Sequence, residues 1–107
     1  MNTVVLRALD KITGRVTTLE IPVGQTARFG TLEITARHCE QAPPEQPPES
    51  AAFLEIVERK PHEEPQTLFT GWMLASSPAL SALEHPVYDL WVIDCKNAST
   101  SSSDTSP

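Results

Sequence analysis

The run Thr31-Leu32-Glu33-Ile34-Thr35-Ala36-Arg37-His38-Cys39 decides the fold class. Leu32, Ile34 and Ala36 alternate with Glu33, Thr35 and Arg37. An extended backbone turns successive side chains to opposite faces, so this period of two predicts a strand with one dry and one wet face. Gly30 stands immediately before it and separates it from Gln25–Phe29, a tight turn or bulge between two strands.

The same kind of short extended piece recurs on both sides of this run. Towards the N-terminus, Val4–Leu9 and Arg15–Ile21 flank the turn Asp10-Lys11-Ile12-Thr13-Gly14, in which Gly14 supplies a positive φ. The pair reads as a hairpin that stops at Pro22, and Val23-Gly24 is a further turn. Towards the C-terminus, Phe53–Val57 and Thr67–Leu74 read as strands on either side of the polar turn Lys60–Pro65, with Gly71 allowing a bulge. Val87–Cys95 is the last strand. Tyr88, Leu90 and Val92 share one face, and Trp91, Ile93 and Cys95 the other, a two-sided apolar pattern that predicts a central strand. One helix interrupts the series: Ser77 is a suitable N-cap, Pro78 fits the first helical position, and His85-Pro86 ends the helix after Ala79–Glu84.

The expectation is therefore a mostly β fold, a single small β-sandwich or partly open barrel of about seven strands with one short helix before the last strand. Residues 1–96 form the domain. Residues 40–50 are an exposed Pro-rich loop, and 97–107 a disordered Ser/Thr-rich tail. The expected core draws on Leu6, Leu19, Ile21, Phe29, Leu32, Ile34, Phe53, Ile56, Leu68, Trp72, Leu90, Trp91 and Ile93. The paired prolines of the loop favour polyproline II, and Pro44 and Pro47 offer a Pro-x-x-P ligand as an alternative to a plain loop.

Composition narrows the function classes. The chain has 107 residues and a net charge of −6, and its eight cations are scattered. Nucleic-acid binding needs clustered Lys and Arg to displace counterions, so it is not expected. No stretch approaches the roughly 18 apolar residues of a membrane span. Met1-Asn2-Thr3 leads straight into Val4-Val5-Leu6, without the charged and apolar regions of a signal peptide. The chain then reads either as cytosolic or as a mature domain with Met1 added.

Cys39 and Cys95 are the two cysteines, each at the end of a predicted strand. They read as a structural disulfide of an oxidising compartment, or else as two buried free thiols of a cytosolic protein. His38, Cys39, His85 and Cys95 do not have zinc spacing, because such sites draw two ligands from one tight turn, so no metal is expected. His62-Glu63-Glu64 reads as a solvated turn. His85, after a helix and before a proline, reads as a cap in preference to a catalytic base. There is no Gly-x-Ser-x-Gly elbow and no Gly-rich phosphate loop. No catalytic residue and no cofactor is expected from these patterns.

The densest segment runs from Phe69 to Cys95. It contains Gly71-Trp72-Met73, Ser76-Ser77-Pro78, Glu84-His85-Pro86 and Tyr88-Asp89-Leu90-Trp91 before the terminal cysteine. It resembles the signature of a bacterial family named domain of unknown function 2155. Val5–Lys11 and the strand ending at Cys39 are similar too, so the resemblance spans about residues 4–96. The resemblance implies an exported envelope protein of Gram-negative bacteria, hence a periplasmic one, normally made with a signal peptide. It carries no established activity to transfer.

Three function classes follow: a periplasmic binding or scaffold module acting through contacts with an envelope protein, an uncharacterised envelope hydrolase or transferase, and a small-ligand carrier. The missing catalytic constellation favours the first. Its expected partner surface is the turn from Trp72 to Tyr88, with Trp72, Met73, Ser76, Ser77, His85, Pro86, Tyr88 and Asp89 as candidates, since aromatic residues and Met are enriched at interfaces. A module would show an exposed apolar patch, an enzyme a pocket of convergent polar groups, and a carrier a sizeable internal cavity.

Overall fold

The computed structural model describes residues 2–76, 83 and 85–97. Seven strands are present: β1 (Thr3–Asp10), β2 (Arg15–Pro22), β3 (Thr26–Phe29), β4 (Leu32–Gln41), β5 (Ser50–Glu58), β6 (Gln66–Leu74) and β7 (Tyr88–Lys96). Among the described residues there is no helix. The helix expected from Ser77 to Glu84 lies, Leu83 apart, outside the described residues, as do the tail residues 98–107.

The strands form two antiparallel sheets, β2-β1-β7 and β3-β4-β5-β6, which do not close into a barrel. The β1–β2 hairpin is closed by the turn its residues favour. Asp10 Oδ1 accepts the N–H groups of Ile12 (2.9 Å) and Thr13 (3.2 Å), and Gly14 turns at φ 73°. The inner faces of the two sheets meet in one core of Val4, Leu6, Ala8, Ile21, Leu32, Ile34, Ala36, Ala52, Leu54, Ile56, Met73, Leu83, Leu90 and Val92 with both cysteines.

Cys39 of β4 and Cys95 of β7 are joined by a disulfide, with Cα atoms 5.8 Å apart. The bond ties one sheet to the other. Its placement depends on two bulges. Along β4 the buried residues are Leu32, Ile34 and Ala36, so strict alternation would send Cys39 outward with Arg37. The register slips between Ala36 and His38, which leaves Arg37 as the extra residue and brings Cys39 inward. Along β7 the slip opposite Val5 and Leu6 makes Ile93 the extra residue, so Cys95 turns inward behind Leu90 and Val92.

Several expectations are corrected. β7 is a sheet edge and not a central strand; β1 holds the centre of its sheet, between β2 and β7. The two-sided apolar pattern of β7 arises because Trp91 and Ile93 are half-buried on its outer side. Leu19, Phe29, Phe53, Leu68, Trp91 and Ile93 are only partly buried, and Trp72 is 41% exposed. The segment 40–50 is not all loop. Glu40 and Gln41 belong to β4, and Ser50 opens β5 and is buried. Nor is its first half polyproline II: the Gln46 N–H donates to the Pro43 carbonyl at 3.0 Å, closing a β-turn with Pro44 in the position that proline's fixed φ suits.

Gly30 shows how tightly the end of the fold distant from the disulfide is packed. It turns at φ 61° between β3 and β4, and a Cβ placed on it would lie well inside van der Waals contact of the Tyr88 phenol. Tyr88 is itself held edge-on by Phe29, with ring centroids 5.4 Å apart. Gly30→Ala is expected to lower stability by about 2 kcal/mol, from the left-handed backbone and the displaced ring together. Thermal unfolding of the variant checks this; an unchanged melting temperature would show that Tyr88 moves aside freely.

Candidate functional site

The expected partner surface is not one surface. A nine-residue strand spans about 30 Å, and β6 ends at the disulfide end while β7 begins at the other. Ser76 lies at the disulfide end, where its N–H (3.1 Å) and its hydroxyl donate to Glu49. These bonds, the hydroxyl's above all, hold the Glu49 carboxyl below its ordinary range. His85, Pro86, Tyr88 and Asp89 are at the opposite end. Ser77 lies outside the described residues. Met73 is buried in the core, which removes it from any surface. Trp72 projects from the outer face of β6, the last strand of its sheet.

Both ring nitrogens of His85 are engaged. Its Nδ1 accepts the N–H groups of Val87 (3.0 Å) and Tyr88 (3.2 Å), which can only donate. The ring proton is therefore on Nε2, which donates to Glu58 Oε2 at 2.8 Å. Neither nitrogen offers a free lone pair. Both side chains are buried, and Thr31 Oγ1 donates to the same carboxylate oxygen at 2.7 Å. Burial raises the Glu58 pKa, but the bonds from Thr31 and His85 and the charge of Lys60 outweigh it and hold the carboxyl below its ordinary value. The Lys11 ammonium donates to the His85 carbonyl at 2.9 Å and fastens the β1–β2 turn to the same end. This cluster is a clasp between the two sheets; the helix that His85 was expected to cap lies outside the described residues.

The residues weighed for zinc are dispersed. The two sulfurs are bonded to each other, His85 faces Glu58, and His38 lies outside on Trp72. Among the described residues no group of three or more potential ligands comes together.

Among the described residues, two depressions on the surface stand out. One, of about 290 Å³, lies at the disulfide end between Gln41, Pro48, Glu49, Ser50, Ala75, Ser76, Ile93 and Asp94. Its polar groups bond one another: Gln41 and Ser50 both donate to Asp94 Oδ1 at 3.3 Å. The other, of about 410 Å³, is lined by Arg37, His38, Phe53 and Trp72. Register builds it, because His38 is opposite Phe53 and Phe53 opposite Trp72 across β4, β5 and β6. Trp72 stacks on His38, with centroids 6.1 Å apart and planes at 19°, and meets Phe53 edge-to-face at 5.5 Å. Arg37, thrown out by the β4 bulge, spends Nε (3.1 Å) and Nη2 (2.9 Å) on Glu55. Beyond it Glu33 bridges Arg28 (2.8 Å) and Arg59 (2.7 Å), whose bonds, Arg28's first, lower its pKa.

His38 and Phe53 had no sequence signal as site residues. Their adjacency to Trp72 exists only through cross-strand register, and His38 faces outward only because the bulge reverses the phase.

Comparison with known proteins adds one decisive match. The model of a family described as "Uncharacterized protein conserved in bacteria (DUF2155)" matches residues 4–95. The chain belongs to the DUF2155 family. A relative, the uncharacterized protein RP359 of Rickettsia prowazekii (strain Madrid E), is 34% identical over 88 residues, which is 82% of this chain and 57% of the relative. The chain thus spans little more than half of that protein's length. No solved structure matches this DUF2155 chain. Among its described residues no helix is long and apolar enough to cross a membrane. The disulfide is consistent with a location outside the cytoplasm.

Proposed function

We propose that this DUF2155 chain is a non-catalytic binding module of the bacterial periplasm, acting on an envelope protein through the outer face of β4–β5–β6. The observation that carries the reading is the aromatic row His38–Phe53–Trp72, with Trp72 41% exposed; among the described residues the other large hydrophobic side chains exposed to that degree or more are Ile12 and Val16 of the β1–β2 hairpin. Exposed aromatic side chains on a rigid sheet present apolar area at little entropic cost, and Trp is prominent among binding hot spots. The engagement of both His85 nitrogens supports this reading over a hydrolase. The periplasm is supported by the disulfide.

Trp72→Ala is expected to cost about 1 kcal/mol of stability, as an exposed stacked side chain should, and to abolish partner capture. A photoreactive residue at position 72, in cells exporting the protein, should give a covalent adduct with one envelope protein. The adduct should fade when Phe53→Ala thins the row. Adducts no stronger than those from position 18, on the outer face of the other sheet, would overturn the reading.

A further inference from the structure

Among the described residues four strands are sheet edges: β2, β7, β3 and β6. Exposed edges invite pairing with another chain, and proteins guard them with charges, prolines or shortness. β2 carries Arg15, Glu20 and Pro22. β7 carries Asp89, Asp94 and Lys96. β3 has four residues. β6 reads Gln-Thr-Leu-Phe-Thr-Gly-Trp-Met-Leu: nine residues with no charge and no proline, paired among the described residues with β5 alone. Its one irregularity is the bulge that leaves Leu68 extra, and beyond it Phe69–Leu74 runs in unbroken register.

We infer that β6 pairs antiparallel with β6 of a second copy, joining the two four-stranded sheets into one of eight strands. The charge pattern selects this occupant. Two chains of net charge −6 repel, and like charges set opposite one another destabilise a strand pair. The other two long edges each carry acidic residues, whereas β6 meets its own copy without opposing charges. Antiparallel pairing of identical strands places the two-fold axis perpendicular to the sheet, so both outer faces stay on one side. Side chains opposite one another must share a face, so the register centres on Gly71 or Trp72. Either centre brings the two exposed Trp72 rings to the seam and merges two aromatic rows into one strip. A partner holding two sites on that strip would gain by avidity.

Sedimentation equilibrium of the wild type, at micromolar and millimolar concentrations, should give twice the 11.7 kDa of one chain. Thr70→Glu places a carboxylate at the seam and should give the single-chain mass with the far-UV spectrum retained. Thr67→Glu adds the same charge to the same exposed strand before the bulge and should leave the dimer intact. In a mixture of isotope-labelled and unlabelled wild type, filtered NMR should show contacts between the β6 strands of the two copies, a readout that needs no variant. A wild type that stays monomeric, or a dimer whose filtered contacts lie on other strands, overturns the pairing. Either result leaves the Trp72 platform open to its own crosslinking test.

Discussion

Replacing Cys39 and Cys95 together by Ala is expected to lower the unfolding free energy by about 4 kcal/mol. The bond closes a loop spanning a sequence separation of 56, and a loop of that length restricts the unfolded chain by about this amount on the chain-entropy account. A domain of this size has about 5–15 kcal/mol in all, so the loss is a large fraction. At roughly 4–8 °C per kcal/mol it corresponds to about 20 °C in melting temperature. The bond also ties β4 of one sheet to β7 of the other, so its loss should loosen both bulges. Urea unfolding of the oxidised protein and the double variant measures the difference. Free energies must be compared and not midpoints, because an uncrosslinked chain unfolds to a more expanded state with a larger m-value. A difference below about 1 kcal/mol would mean that the inter-sheet core alone secures the fold.

His85→Ala should cost about 2–3 kcal/mol, because it removes a hydrogen-bond donor from a buried carboxylate. Glu58 loses a donor while remaining buried, and the N–H groups of Val87 and Tyr88 lose their acceptor. The same pair predicts an acid response. The Glu58 carboxyl is held below its ordinary value of 4.5, so the folded state binds its proton less readily than the unfolded state does. Its contribution is complete above that value and is lost as pH falls through the lowered one. Exposed Glu33 and Glu49, also lowered, act in the same direction. Melting temperature should therefore decline as pH drops below about 4.5, and Glu58→Gln should flatten part of that decline. A variant with an undiminished slope would assign the acid response elsewhere.

The strand count, the hairpin turns and the cysteine pair were legible in the sequence, and the reasons are local. Alternation at Leu32–Ala36 needs only one strand and one apolar side. Asp10–Gly14 carries its own turn chemistry in the Asp10 carboxylate and the positive φ of Gly14. A lone pair of strand-end cysteines has few alternative uses. What the sequence could not convey is phase. Each bulge inserts one residue, Arg37 or Ile93, and reverses which side the rest of the strand presents. Read with unbroken alternation, both cysteines point outward and His38 points inward; in the folded protein the sulfurs meet in the core and His38 stacks on Trp72. The assignments of β7 to the sheet centre and of Trp72, Phe53 and Trp91 to the core failed because hydrophobicity does not say which neighbour a strand will have. The proposed site fails to appear in the sequence for a related reason. His38, Phe53 and Trp72 belong to three strands, and only the register chosen by packing sets them side by side. Local preference determined where the chain extends and turns, and tertiary packing determined which way each strand faces and what it lies beside.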